Sequence, residues 1–190
     1  MAIYDSNSAG TTVTEIGLLY DSNSAGTTVT QIGKVYDYNG SSTTLIYSDQ
    51  ETVYPGATPT TKTYGGGTAS GMTVTASNTS GGYAMAWIPV YCTGWDTLTV
   101  TWKAQTGTYA LVYVGLKSAI DTTSGTWYIP STTNSDSTLA TGAGVNQTTA
   151  TTTNINISAL TGNHYLQVHV YAGSTADAVA TASITSAIVS

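Results

Sequence analysis

Residues 97–116 read TLTVTWKAQTGTYALVYVGL, two runs of alternating polar and apolar residues on either side of a glycine-containing turn. A period of two is that of a β-strand, whose successive side chains point to opposite faces of a sheet. A third run, residues 164–171 (HYLQVHVY), alternates in the same way. The three runs predict three strands that share one core. The residues assigned to that core are Leu98, Val100, Trp102, Ala110, Val112, Val114, Leu116, Leu166, Val168 and Val170.

The rest of the C-terminal half continues this pattern of short strands and turns. No window carries the 3.6-residue apolar period of a helix, so at most one short helix is expected. Residues 131–150 have no clear period and are expected to form a loop or a weak edge strand. Strands at this spacing are typical of an antiparallel β-sandwich, and we expect a jelly-roll-like one over 72–190. Further strands are predicted near 72–77, 83–91, 126–130, 151–157 and 179–189.

Two nearly identical segments lie at the start of the sequence. Tyr4–Leu19 reads YDSNSAGTTVTEIGLL and Tyr20–Val35 reads YDSNSAGTTVTQIGKV, and a degenerate third copy, YDYNGSSTTLIYS, begins at Tyr36. Each copy joins a turn-forming cluster to a Thr-rich run that favours β structure, which predicts one small β-hairpin per repeat. The fold class expected for the whole chain is all-β, with short N-terminal hairpin repeats followed by the sandwich.

Residues 1–54, which contain the repeats, are predicted to be an anchor that becomes ordered through contacts with other chains. They offer few large apolar side chains. Burial at about 25 cal/mol per Å² is too little to offset roughly 1–2 kcal/mol for ordering each residue. Residues 55–71 (PGATPTTKTYGGGTASG) are rich in glycine and proline and are predicted to be a linker or a long loop. The predicted anchor residues are Tyr4, Ile16, Tyr20, Ile32, Tyr36 and Ile46.

Charge and composition argue against several classes of protein. The chain has a net charge of −6, four lysines and no arginine, whereas nucleic-acid binding needs clustered cationic side chains. The same shortage disfavours binding to anionic membranes, and no apolar run approaches the roughly 20 residues of a membrane span. Residues 1–10 (MAIYDSNSAG) lack the basic and apolar regions of a signal peptide, so secretion by a standard signal is not expected.

The strand faces opposite the predicted core carry aromatic and polar side chains. Tyrosine rings stack on the C–H faces of sugars, and amide or imidazole groups hydrogen-bond to sugar hydroxyls. These rows are therefore candidate glycan-binding residues. The alternative is cross-strand aromatic pairing on a solvated or subunit-facing sheet. The candidate residues are Tyr109, Tyr113, Tyr165, Gln167, His169 and Tyr171.

No arrangement of residues predicts catalysis, a cofactor or a metal site. His164 and His169, the only histidines, are an odd number of residues apart on one strand and therefore face opposite ways. The turn Asp5–Gly10 begins like a calcium loop but lacks the third oxygen ligand and the closing glutamate, so an Asx-turn is expected. Cys92 is expected to be a small buried hydrophobe. The chain is therefore predicted not to be an enzyme.

Two parts of the sequence resemble known proteins. The Y-D-x-N motif, the Thr-rich run after it and IGKVYDYNG (residues 32–40) resemble repeats at the start of virion proteins from phages of Gram-positive gut bacteria. Residues 83–190, with AMAWIPVYCTGWDTLTVTWKA and TTTNINISALTGNHYLQVHVYAG, resemble jelly-roll domains of carbohydrate-binding modules and phage adhesins. The resemblance implies a virion structural protein, such as a head fibre, a capsid decoration protein or a tail accessory protein.

The resemblance also implies partners and a location. The partners would be other virion proteins of the capsid or tail, further copies of this chain, and a glycan of the host surface. Among oligomers of this chain a homotrimer is favoured, and a dimer is also open. The protein would be made in the cytoplasm of the host bacterium, released by lysis and displayed on the virion surface. The alternative functions are a carbohydrate-binding module of a bacterial surface polysaccharide system and a component of the cell wall or surface layer.

Overall fold

The computed structural model describes residues 50–77, 81–120, 129–174 and 178–190, together with six short strands before residue 50 for which only the backbone pairing is described. The chain divides into two compact units, Met1–Glu51 and Thr52–Ser190. Every helix or strand assigned in the described residues is a β-strand, which confirms the predicted all-β fold.

Three antiparallel hairpins, one for each repeat, make up the described part of the first unit. Each hairpin is a two-stranded sheet of its own. Tyr4 pairs with Glu15 and Tyr20 pairs with Gln31, so the first two repeats share one register. The prediction of one hairpin per repeat is confirmed. The strands are β1 (Ile3–Ser6), β2 (Val13–Ile16), β3 (Tyr20–Ser22), β4 (Val29–Gln31), β5 (Lys34–Tyr38) and β6 (Thr43–Ser48).

From residue 51 onward the described residues form a sandwich of two antiparallel sheets. The strands are β7 (Glu51–Tyr54), β8 (Thr60–Tyr64), β9 (Gly67–Ser70), β10 (Thr73–Ala76), β11 (Gly82–Tyr91), β12 (Thr97–Thr106), β13 (Ala110–Lys117), β14 (Ser135–Gly142), β15 (Asn146–Asn156), β16 (Asn163–Ala172) and β17 (Ala180–Val189). One sheet has the order β15-β12-β17-β10-β9, with β7 also paired to β17, and the other has the order β14-β13-β16-β11-β8.

The inner faces of the two sheets meet in one hydrophobic core. In β12, Leu98 and Val100 are fully buried while the threonines between them are only partly covered, as the period-two pattern predicts. All ten residues assigned to the core from the sequence are buried. The register of β12, β13 and β16 is therefore the predicted one, because a slip by one residue would have turned these side chains outward.

The stretch 55–71 is not the linker that its composition suggested. β8 pairs with β11 in the five-stranded sheet, and β9 pairs with β10 in the six-stranded sheet, so the chain crosses from one sheet to the other between these two strands. A Cβ atom on Gly67 would lie 1.8 Å from the carbonyl oxygen of Tyr83. Glycine here permits close approach of two backbones rather than flexibility.

Residues 131–150 contain β14 and the first part of β15. Both are edge strands, one in each sheet. Of the two alternatives expected for this stretch, a loop or a weak edge strand, the edge strand is therefore the one found. Edge strands need less apolar alternation because much of their surface faces solvent. The strand predicted at 126–130 falls mostly outside the described residues, and Ile129 and Pro130 are not in a strand.

Candidate functional site

The five-stranded sheet has a second face, opposite the core, on which aromatic side chains of neighbouring strands lie side by side. In β11, Tyr83, Met85 and Trp87 point away from the core because Ala84 and Ala86 point into it. The strand register places residues of β8, β13 and β16 beside them. This aromatic face consists of Tyr64, Tyr83, Met85, Trp87, Tyr113, Lys117, Tyr165, Gln167, His169 and Tyr171.

Cross-strand pairing brings the rings of the aromatic face into contact. Tyr83 lies opposite Tyr64 on one side and Tyr171 on the other, and His169 lies opposite Tyr113. The rings of Tyr64 and Tyr83 are stacked, with centroids 5.9 Å apart and planes 18° apart. Tyr83 meets the imidazole of His169 edge-on at 6.1 Å. Both arrangements are favoured geometries for ring pairs.

Tyr113 is held at the centre of this face by hydrogen bonds. Its hydroxyl lies 2.8 Å from Ser135 Oγ and donates toward the carbonyl oxygens of Leu116 and Ser137, each 3.3 Å away. Gly115 makes room for this ring, because a Cβ there would lie 2.7 Å from the Tyr113 hydroxyl and 2.2 Å from the Ser137 carbonyl oxygen. Tyr113 therefore joins β13 to β14 and is not free to bind a ligand.

Lys117 is fully buried and anchors the segment that follows Pro130. Its Nζ donates to the carbonyl oxygens of Ser131 and Thr133, at 2.9 and 3.0 Å, and lies 4.4 Å from the ring centroid of Tyr113. Ile120, just after β13, packs against the cluster of Tyr83 and Met85. Residues on both sides of the undescribed range 121–128 thus cover part of the aromatic face.

His169 and Gln167 lie on the same face, opposite Tyr113 and Gly115, and are both fully buried. Burial, followed by the positive charges of Lys117 and Lys62, lowers the pKa of His169 from 6.5 to about 3. The imidazole is therefore neutral at physiological pH. Neither atom of the Gln167 side-chain amide has a hydrogen-bond partner among the described residues.

The structure corrects the expectation that all six candidate glycan-binding residues are displayed outward. Tyr113, Gln167 and His169 do point away from the core, but they are fully buried. Tyr165 and Tyr171 are partly buried. Tyr109 is 67% exposed and has a positive φ of 60°, in the turn before β13.

Three aromatic residues of this face were missed in the sequence. Tyr83 and Trp87 belong to YAMAWIPVY, where Tyr83, Met85, Trp87 and Tyr91 alternate with small or aliphatic residues, so the same period-two rule could have identified them. Tyr64 could not be identified in this way because its strand, TTKTY, is polar throughout. Tyr64 is 40% exposed and Trp87 is half-buried, so the accessible part of the aromatic face lies toward β8.

A second polar cluster contains Cys92, His164 and Asp136 but is not arranged for nucleophilic catalysis. The imidazole nitrogens of His164 face Asp136 Oδ2 at 2.7 Å and the carbonyl oxygen of Thr161 at 3.3 Å. The thiol of Cys92 donates to the carbonyl oxygen of Val90 at 3.7 Å. Burial and the charge of Asp136 raise the pKa of Cys92 to about 11. The thiol is thus protonated and has no base directed at it, and the expectation that Cys92 is a buried hydrophobe is confirmed.

The six predicted anchor residues are placed only by their backbone. Side-chain burial is described for none of them, so their role stays a prediction. Tyr4, Ile16, Tyr20, Tyr36 and Ile46 lie on strands of the three hairpins, and Ile32 lies outside the described residues.

Metal sites and membrane-spanning helices are both missing from the part of the chain that the structure describes. No three His, Cys, Asp or Glu side chains in that part are grouped closely enough to hold a metal ion. No helix that could cross a membrane occurs there either. Most of the calcium-like turn Asp5–Gly10 lies outside the described residues.

Comparison with protein families and with curated proteins identified no relative of this chain. No model of a known protein family matches the chain, and no curated protein is significantly similar to it in sequence.

Proposed function

We propose that this protein is a non-enzymatic virion structural protein that is attached to a phage particle through its N-terminal repeats and displays the β-sandwich outward. The head fibre, the capsid decoration protein and the tail accessory protein are the forms that fit. The observation that carries the proposal is that the chain combines three separate hairpins, which repeat every 16 residues in the sequence, with a sandwich that has its own core.

The hairpins need a partner for physical reasons. An isolated two-stranded hairpin is marginally stable at best in water. Each hairpin is a separate sheet and therefore has two strand edges that no described strand pairs, and open edges bind other strands. Capsid or tail proteins, or further copies of this chain in a trimer, would supply those strands. Repetition of one hairpin suits attachment to a surface that itself repeats.

Removing the repeats tests this function directly. A variant lacking residues 1–49 should remain folded and soluble but should be absent from phage particles assembled with it in place of the full chain. The deletion stops before β7, because β7 pairs with β17 and buries Val53 in the core of the sandwich. The measurement is the amount of the protein per particle by quantitative immunoblot, with circular dichroism as the check on folding.

A matched variant lacking only residues 4–19 removes one repeat and leaves two. It should reduce occupancy by less than the full deletion does. Full occupancy of particles by the variant lacking residues 1–49 would contradict the proposal.

A second candidate function is glycan binding by the sandwich, as in a carbohydrate-binding module. The observation that favours it is the accessible end of the aromatic face, where the exposed Tyr64 stacks on the buried Tyr83, and where Trp87 and Tyr171 are half-buried. Exposed Lys62 lies on the same face, opposite Met85. Adjacent aromatic rings with a polar group beside them suit a sugar ring.

If a glycan binds there, Tyr64→Ala and Trp87→Ala should each weaken binding at least about fivefold, which is the size of effect expected from losing one ring contact. The measurement is binding to an array of bacterial cell-wall polysaccharides and neutral oligosaccharides. Tyr91→Ala is the matched control, since Tyr91 is 59% exposed and lies further along the same strand as Trp87. If all three variants bind glycans equally well, the aromatic face serves only to pack the protein and does not bind sugar.

A further inference from the structure

The outer strand of the six-stranded sheet, β15, presents a regular backbone edge. Its segment Thr151–Asn156 pairs with residues 97–102 of β12 without a register shift. No described strand pairs with the opposite side of this segment. The segment is called the open edge below.

The side chains of the open edge alternate strictly between two environments. Ile155 points into the core and is buried, and Trp102 Nε1 donates to Thr153 Oγ1 at 3.0 Å. On the solvent side, Thr152 Oγ1 lies 3.0 Å from Thr101 Oγ1, and Asn154 Oδ1 accepts a hydrogen bond from Thr99. The strand is thus fixed in place by β12, while no described strand pairs with its outer backbone groups.

The other described edges of the sandwich carry features that discourage strand addition, and the open edge does not. Natural edge strands are protected by charged residues, proline, bulges or short length. β8 contains Lys62 and follows Pro59, and β9 has four residues. β14 has two register shifts against β13 and contains Asp136.

The open edge has the sequence TTTNIN, with no charge and no proline. A register shift does occur just before it, where Trp102 pairs with Thr151 and Ala104 with Gln147. There the side chain of Gln147 donates to the carbonyl oxygen of Thr149 at 2.6 Å. Protection therefore ends where the open edge begins.

We propose that the open edge pairs with the same edge of a second copy of this chain, antiparallel, about a twofold axis at Thr153. In that register Thr152 lies opposite Asn154 of the second copy and Thr151 lies opposite Ile155. Solvent-side residues then meet solvent-side residues, as in any antiparallel pair centred on a residue, and the uncharged side chains of Thr152 and Asn154 face each other. The same edge is used on both copies, as a twofold contact requires.

The composition of the open edge suits a second copy as the occupant. The whole chain has a net charge of −6, which opposes contact between copies at charged surfaces but not at this uncharged edge. The open edge is neutral and rich in Thr and Asn, whose side chains form favourable cross-strand pairs. This contact lies in the sandwich and is separate from any oligomer that the N-terminal repeats form, so it goes beyond the proposed function and does not depend on it.

Cysteine scanning of the full chain tests the contact. Residues directly opposite across an antiparallel pair have Cα atoms about 4.5–5.5 Å apart, which a disulfide can bridge. Under mild oxidation, Thr153→Cys should form a covalent dimer at least tenfold faster than Thr61→Cys on the edge strand β8, which serves as the control for random collision. The native Cys92 is fully buried and so adds little background.

A second variant pair separates this contact from dimers formed elsewhere. Thr152→Lys with Asn154→Lys places like charges across the proposed axis and should lower the rate for Thr153→Cys at least tenfold. Thr61→Lys with Thr63→Lys on β8 should leave that rate unchanged. Both pairs alter exposed side chains, and circular dichroism verifies the fold. A rate for Thr153→Cys equal to that of Thr61→Cys, or one unaffected by the lysines on β15, would overturn the proposal.

Discussion

Lowering the pH from 7 to 4 is expected to reduce the free energy of unfolding of the sandwich by about 3 kcal/mol through His169 alone. The pKa of this residue is about 3 in the folded protein against 6.5 ordinarily, because the imidazole is buried and faces the positive charges of Lys117 and Lys62. Below pH 6.5 the unfolded chain therefore binds a proton that the folded chain does not bind. This loss of stability begins near pH 6.5, grows as the pH falls, and levels off below about pH 3.

Urea denaturation at a series of pH values, followed by tryptophan fluorescence, measures this effect. All four tryptophans lie between residues 87 and 127, so the signal reports on the sandwich. His169→Phe keeps a ring of similar shape but removes the titration, and its stability should fall less steeply between pH 6.5 and pH 3 than that of the unchanged protein. The carboxylates contribute equally to the pH dependence of unfolding in the unchanged protein and in His169→Phe, so their contribution cancels when the two are compared.

Nuclear magnetic resonance gives an independent check, since the chain has only two histidines. The His169 imidazole should show no titration in the folded protein down to about pH 4. A titration midpoint near 6.5 for His169 would contradict its lowered pKa. An equal pH dependence of stability in the unchanged protein and in His169→Phe would contradict it as well.

Leu166→Ala is expected to destabilise the sandwich by about 2–5 kcal/mol, the usual cost of removing a buried leucine side chain. Leu166 is fully buried at the centre of the five-stranded sheet, between Ile88 of β11 and Leu116 of β13. Both neighbours are anchored in their own strands, so the core cannot easily close around the cavity. The measurement is the free energy of unfolding at pH 7 from urea denaturation.

Ile129→Ala is the matched control, because it also replaces a four-carbon aliphatic side chain with alanine, at a position that is 52% exposed. Its effect should stay within about 0.5 kcal/mol. Similar losses for the two variants would mean that Leu166 does not lie in the core.

The fold could be predicted from the sequence wherever a strand is half-buried. In β12, one face packs in the core and the other does not, so apolar and polar residues alternate and the pattern determines both the strand and its orientation. The hairpin repeats could also be predicted, because turn-forming residues and Thr-rich runs recur at a fixed spacing. β8 and β9 could not, since edge strands do not need an alternating pattern.

The candidate site was predicted only in part. Alternation correctly placed Tyr113, Gln167 and His169 on the side of the sheet opposite the core, and it failed to predict that they are buried. Burial of this face depends on segments distant in the sequence: Ile120 packs against Tyr83 and Met85, and Lys117 bonds to Ser131 and Thr133. The neighbours of His169 that lower its pKa likewise come from other strands.

The sequence by itself thus determined that this protein is all-β, where its repeats form hairpins, and which side chains of the central strands face the core. These properties follow from local periodicity, which a strand carries within its own residues. The tertiary structure alone decided which part of the aromatic face is accessible and which edge of the sandwich is open. Those properties depend on which distant segments pack together, because burial and strand pairing are set by contacts between elements rather than within them.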